Sequence, residues 1–384
     1  MFFLVNVYLN DKKLKGTFLK HKTTYKVIGL MSGTSLDGID IAYLETDGDA
    51  HIRFIAADMV PYDDADRALL SAVARGDVPL VDVMRAEKVL TEKHAQAVLS
   101  FMSAHSLTVD DVDLVGFHGQ TIRHLPDEGL TWQLGNASLL STLTGLQVAA
   151  DFRRGDMANG GQGAPLVPLF HKALYAEEGK SFGILNVGGV ANITLMGADG
   201  KIFAGDTGAG CGLMDAYAQT YLNMPFDKNG ECAAKGEVHE NLIKQAMDTI
   251  SFFQKSFPKS ADRYDFDSLD VSALKPEDAL RTLCAFTAAG VADAIGHSNM
   301  ALDYILVCGG GAENATLMQE LALRTGVKVQ HIAEKGLRAE SLEAECFAWL
   351  AVRVITNQHL TSPFTTGCQT PSLGGILTTD PKRV

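Results

Sequence analysis

The stretch Gly205-Asp-Thr-Gly-Ala-Gly-Cys-Gly212 sets one carboxylate, Asp206, among glycines that let a backbone come close to a ligand. An apolar strand leads into it and a helical stretch starts at Leu213, so Asp206 is expected at a strand terminus. There it can take a proton from a nucleophile, beside helix N–H groups able to receive an anion. The competing reading is a turn or cap residue. A second candidate, Ser32-Gly-Thr-Ser-Leu-Asp-Gly38, gathers small residues and hydroxyls at a hairpin tip, where donors can converge on a phosphate. It lacks the lysine of a Walker A loop, and a strand follows it instead of a helix; such a tip alone is more often only a turn. The third, Val307-Cys-Gly-Gly-Gly311, passes from a buried strand into a helix and leaves room for a flat ring or a ribose, although a plain connection would look the same.

Five single polar residues stand where a ligand could meet them. His118 and Gln120 end a buried strand, where substrate hydrogen bonding competes with a structural role. Arg153 follows Asp151 and could meet a carboxylate or phosphate, against the alternative of an Asp–Arg structural pair. Glu343 sits near a helix start, where a first-turn acid favours the helix dipole whether or not it touches a sugar; Glu345 is its natural control. Asp37 could approach Mg²⁺ or its waters, or simply stabilise its turn.

The elements that must hold these groups follow one order twice. A hairpin from Tyr25 to Tyr43 around the first loop, a strand over His51 to Val60, helices near Asp64 to Arg75 and Leu80 to His105, and a buried strand over Val112 to Phe117 make up the first half. The second half has strands over Phe182–Asn186, Ala191–Met196 and Lys201–Gly205, then helices near 213–222, 237–257 and 277–297, then the buried strand Tyr304–Cys308. The pattern βββ, α, β repeated implies two duplicated α/β lobes around a cleft, with three glycine loops at equivalent points. The expected division is an extension over 1–24, a first lobe over 25–150 completed by 363–384, and a second lobe over 151–362.

At 384 residues, two lobes are the natural expectation. A net charge of -13 disfavours a nucleic-acid partner. Six scattered cysteines without a CxxC pair suit a reducing cytoplasm, and no HExxH or Cys/His zinc spacing predicts a metal held by protein alone. No apolar run is expected to approach the roughly 20 residues that span a bilayer, so no membrane partner is expected.

The motifs Met31-Ser-Gly-Thr-Ser-Leu-Asp-Gly-Ile-Asp40, Gly116-Phe-His-Gly-Gln-Thr121, Asp151-Phe-Arg-Arg154, Gly160-Gly-Gln-Gly-Ala-Pro-Leu-Val-Pro168, Asn186-Val-Gly-Gly-Val-Ala-Asn-Ile-Thr194, Asp206-Thr-Gly208 and Glu343-Ala-Glu-Cys-Phe-Ala-Trp-Leu350 occur in this order. Together they resemble the 1,6-anhydro-N-acetylmuramic acid kinases, a branch of the superfamily of sugar kinases, actin and the 70-kDa heat-shock chaperones. Ala209, Cys211 and Asn159 depart from the family's usual Pro, Asn and Ala. The resemblance implies two ribonuclease-H-like lobes of the actin-like ATPase fold. It also implies an ATP-dependent enzyme that opens 1,6-anhydro-N-acetylmuramic acid with water and phosphorylates O6, as a homodimer in the cytoplasm. Asp206 would be the general base. Gly33, Thr34, Ser35, Leu36, Asp37, Gly38, Ile39 and Asp40 would line the ATP phosphates, with Gly188, Gly309, Gly310 and Gly311 completing the nucleotide site and Mg²⁺ arriving with ATP near Asp37. His118, Gln120, Arg153 and Glu343 would meet the sugar. The rivals are a kinase for an ordinary hexose and an actin- or chaperone-like ATPase module.

Overall fold

The computed structural model describes residues 22–33, 36–76, 78–175, 179–261, 264–335 and 341–383, so Thr34, Ser35 and most of the expected N-terminal extension lie outside the described residues. Apolar strands β1 (Tyr25–Ser32), β2 (Gly38–Thr46) and β3 (Ile52–Pro61) come first. The helices α1 (Asp64–Arg75) and α2 (Leu80–Ala104) follow; α1 starts where the Asp63 side chain accepts the Asp66 N–H and stops at left-handed Gly76. Next come β4 (Leu114–Leu125), β5 (Leu130–Leu134), α3 (Ala137–Thr144), β6 (Val148–Ala150), α4 (Arg154–Ala158) and α5 (Pro168–Tyr175).

The second half opens with β7 (Phe182–Val187), β8 (Val190–Met196), β9 (Ile202–Ala209) and α6 (Gly212–Leu222). The single helix expected over 237–257 is broken at Ile250, whose extended backbone separates α7 (Glu240–Thr249) from α8 (Ser251–Gln254). That break turns Phe252 and Phe253 into the core. The chain continues through α9 (Pro276–Ser298), β10 (Tyr304–Cys308), α10 (Ala315–Thr325), β11 (Lys328–His331), α11 (Leu342–Ile355), α12 (Pro363–Thr366) and β12 (Ile376–Leu377).

Strand register makes the duplication explicit. In the first sheet β1 pairs antiparallel with β2, β2 antiparallel with β3, β1 parallel with β4, and β4 parallel with β6. The order is β3-β2-β1-β4-β6, extended by β12 and with β5 folded back on β4. The second sheet, β9-β8-β7-β10-β11, repeats those pairings strand for strand: two antiparallel, then two parallel. Two such ribonuclease-H-like units in one chain make the expected actin-like ATPase fold.

The seat of one helix also differs from expectation. The sequence reading leaves Leu342–Ile355 with the second lobe, but α11 lies flat on β1, β2 and β4 of the first sheet. Gly29 and Gly116 face each other in register there. A Cβ on Gly29 would stand 1.9 Å from the Ala344 carbonyl oxygen, and one on Gly116 2.1 Å from that of Phe347. The two glycines thus form the groove that seats α11. By length and composition α9 is apolar enough to cross a membrane, against the expectation that no run would be. It serves as a core helix instead, with 67% of its most apolar window buried against the second sheet and α10.

Candidate active site

Asp206 lies within β9 and not beyond its end, opposite Asn192 of β8, where the register shifts by one residue. β9 is an edge strand, and the segment Phe257–Ala261 covers it there. The Asp206 N–H donates to the Lys259 carbonyl at 2.9 Å, and the Ala261 N–H donates to Asp206 Oδ2 at 2.7 Å. Burial pushes the carboxyl up to about 7, against the pull of the Ala261 N–H and the Arg153 charge, with Asp265 adding to the rise. Such a group can accept a proton near neutral pH.

Arg153, expected in the second lobe, follows β6 of the first sheet at the start of α4 and carries its charge to Asp206. Its Nε–H and Nη2–H both reach His118 Nε2, at 3.1 and 3.0 Å, and Nη1–H donates to the Gly163 carbonyl at 2.8 Å. His118 Nδ1–H donates to the Gly119 carbonyl at 2.8 Å. Burial first, and then the Arg153 charge, push the His118 ring well below its ordinary value, so it is neutral and acts as an acceptor for Arg153. Glu343 opens α11 facing solvent in the crevice, and the crowding of protein around it raises its carboxyl while Arg153 lowers it. Burial lowers the Arg153 guanidinium, opposed by the charges of Glu343 and Asp206 among others. One cation therefore acts on both carboxylates.

The Asp–Arg pair weighed for Arg153 belongs to its neighbour: Arg154 meets Asp151 at 3.4 Å. His118 and Gln120 have no free polar atom for a sugar. Gln120 is buried, accepts from Ser32 Oγ at 2.5 Å and donates to the Gly33 carbonyl at 3.1 Å, so it holds the first loop in place. That loop turns through a Leu36 N–H bond to Gly33 O, with Leu36 at φ 59°, and the Asp37 carbonyl accepts the Tyr62 N–H. Asp37 is exposed, Asp40 half-buried, and Gly38 and Ile39 are buried in β2.

On the second sheet, the carbonyls of Gly188 and Gly189 accept N–H bonds from Cys211, Gly210 and Gly212. This ties the β7–β8 turn to the start of α6. Gly309 has φ 79°, and a Cβ on it would stand 2.7 Å from the Val187 carbonyl oxygen; Gly310 beside it meets open space. The two glycine turns thus adjoin at the ends of β7 and β10.

Asn186, Asn192 and Asp206 stand opposite one another across β7, β8 and β9. In the sequence Asn186 and Asn192 stand only as parts of a motif. Two amides interrupting otherwise apolar strands were the available signal. Glu345, the control for Glu343, is fully buried and accepts from Ser341 Oγ at 2.7 Å. Among the described residues, no group of three or more His, Cys, Asp or Glu side chains is arranged to hold a metal.

Two such units facing a glycine-lined crevice, with paired carboxylates around an arginine, define a phosphotransferase of the actin-like ATPase class. The chain belongs to the anhydro-N-acetylmuramic acid kinase family, whose family model matches residues 25–379. It is 40% identical to the anhydro-N-acetylmuramic acid kinase of Zymomonas mobilis over 91% of this chain and 98% of that one. It is 42% identical to those of Paramagnetospirillum magneticum and Caulobacter vibrioides, again over 91% of this chain and 98% of each relative. Likeness to solved structures is looser; a ROK family glucokinase from Streptomyces griseus matches at TM-score 0.39 and 11% identity, covering 85% of this chain and 99% of that one.

Proposed function

We propose that this chain uses ATP and water to open 1,6-anhydro-N-acetylmuramic acid and phosphorylate it, giving N-acetylmuramic acid 6-phosphate and ADP for cell-wall recycling. The observation that carries the mechanism is an Asp206 carboxyl raised to about 7 in a crevice shared with Arg153 and Glu343. Asp206 accepts a proton from water as its oxygen bonds to C1. The C1–O6 bond of the anhydro bridge breaks, O6 bonds to the γ-phosphorus of ATP, and the bond from that phosphorus to the β-phosphate oxygen breaks, releasing ADP. The attack on C1 is that of an inverting glycosidase, with phosphorus in place of the acid that would protonate O6.

Gly33 to Asp40 and the turns at Gly188 and Gly309–Gly311 receive the nucleotide in this reading. Mg²⁺ arriving with ATP would neutralise the phosphate charge, with Asp37 of the first loop near it. Arg153 and Glu343 meet the sugar, while His118 and Gln120 position Arg153 and the phosphate loop. Six unpaired cysteines support a cytoplasmic location, and a homodimer is part of the same proposal. The names of the relatives do not favour an ordinary hexose kinase or a chaperone-like ATPase.

Products formed from the anhydro sugar and ATP in H₂¹⁸O test the reading. Label at C1 with phosphate on O6 is expected, and Asp206→Asn should abolish turnover while ATP still binds. Label absent from C1, or near-normal turnover by Asp206→Asn, overturns it.

A further inference from the structure

Lys259 is a buried lysine with no part in the mechanism above. Its side chain is 2% exposed, and its ammonium sits 4.4, 5.5 and 4.5 Å from the ring centres of Phe252, Phe253 and Phe257. It donates one hydrogen bond, to the Phe252 carbonyl at 3.2 Å, and Asp293 Oδ2 of α9 stands 3.9 Å away, beyond hydrogen-bond reach. A desolvated ammonium is costly to bury unless rings and dipoles replace its water, and three aromatic faces do so here.

The rings that enclose this cation also touch the strand bearing Asp206. A Cβ on Gly205 would meet the Phe257 ring at 3.0 Å and the Lys259 carbonyl oxygen at 3.2 Å; one on Gly208 would meet the Phe253 ring at 3.3 Å. Asp206 lies between those two glycines, and the covering segment supplies two hydrogen bonds to it, through the Lys259 carbonyl and the Ala261 N–H. Ser260, between them, donates to Gln162 Oε1 at 3.0 Å and so links the segment to the loop after α4.

From this geometry we infer that Lys259 is a positioning residue for Asp206, its caged ammonium fixing the segment that delivers the Ala261 N–H to the carboxylate. The inference rests on the reading of Asp206 as the base. The cage holds residues 257–261 flat on β9, and the Ala261 N–H both orients Oδ2 and favours the ionised carboxylate. The charged groups facing Asp206 are Arg153 and Asp265; those facing Lys259 are Asp293, Lys255 and, through Asp293, His297.

Lys259→Met keeps the length and apolar stem and removes the charge. In the sugar-kinase reaction it should lower kcat roughly tenfold with the KM for ATP unchanged, because a loosened base is misplaced for attack while the nucleotide loops stay intact. It should also move the acidic limb of the kcat/KM profile to higher pH by roughly 0.5–1, as the carboxylate loses its donor. Lys259→Arg, which keeps the cation, should move the limb less. An unshifted limb in folded Lys259→Met overturns the inference whatever happens to kcat. Should that variant not fold, Phe257→Leu, which removes one ring and leaves the cation, is read in the same way. A dead Asp206→Asn beside an unshifted Lys259 variant would sink this inference alone; an active Asp206→Asn would sink the reading beneath it.

Discussion

His118 accepts two N–H bonds from Arg153 through a single ring nitrogen, Nε2, with its other nitrogen committed to the Gly119 carbonyl. A histidine within β4, a strand expected to end before it, therefore holds an arginine whose charge acts on both Asp206 and Glu343. Losing that acceptor leaves two half-buried guanidinium donors unpaired, at a cost of about 1 kcal/mol or more. His118→Ala should lower kcat/KM for the sugar roughly tenfold or more, since about 1.4 kcal/mol is a factor of ten, and leave the KM for ATP unchanged. Steady-state kinetics with each substrate varied in turn would check this.

Asp206 should be a burden on stability. Its ordinary pKa is 3.8, and burial raises it to about 7 in the fold. Between those values the folded chain holds a proton that the unfolded chain has lost, so stability falls as pH rises through this window and the loss is complete above about 7. Asp206→Asn should therefore raise the melting temperature at pH 8, by an amount corresponding to on the order of a few kcal/mol, and change it little at pH 4. Thermal unfolding at the two pH values decides the matter; equal effects at both would refute the shift.

Gly116→Ala should be severely destabilising. The new methyl would meet the Phe347 carbonyl oxygen of α11, which is backbone and cannot swing aside. Overpacking of this kind costs about 3 kcal/mol. Urea unfolding should show a lower midpoint, and a midpoint equal to that of the unmodified chain would mean that α11 does not sit as described.

Glu343 and Glu345 should separate function from packing although they are two residues apart. Glu343→Gln should lower turnover at least roughly tenfold with little change in melting temperature, because the residue is exposed and its carboxylate feels the Arg153 charge. Glu345→Ala leaves a cavity and removes the acceptor of the Ser341 hydroxyl, a combined loss of about 2–4 kcal/mol. A melting-temperature loss in the first variant as large as in the second would contradict this division.

The duplicated order of strands and the glycine turns could be read from the chain because local periodicity and loop chemistry determine them. Short elements could not. β6 has three residues and β12 two, and each becomes a strand only through pairing with the other and, for β6, with β4. The break at Ile250 hides inside a helical pattern, since apolar residues continue through Phe252 and Phe253 on both sides of the turn. For the site, Asp206, Arg153 and Glu343 stood out as polar residues in motifs. Their partners did not: Arg153 bonds His118, 35 residues away, and Asp206 bonds Ala261, 55 residues away. Gln120 looked equally free in the sequence, and only the fold engages both ends of its amide.

The glycine groove under α11 has one further consequence. Pinned that closely, Glu343 travels with the first sheet, whereas Asp206 is fastened to the rim of the second. Any ligand that draws the halves together carries one negative charge toward the other, and like charge makes a carboxylate hold its proton more tightly. Shutting the crevice would thus sharpen the appetite of Asp206 for a proton in the reaction proposed above, and titrating that carboxylate with and without nucleotide would read the effect directly.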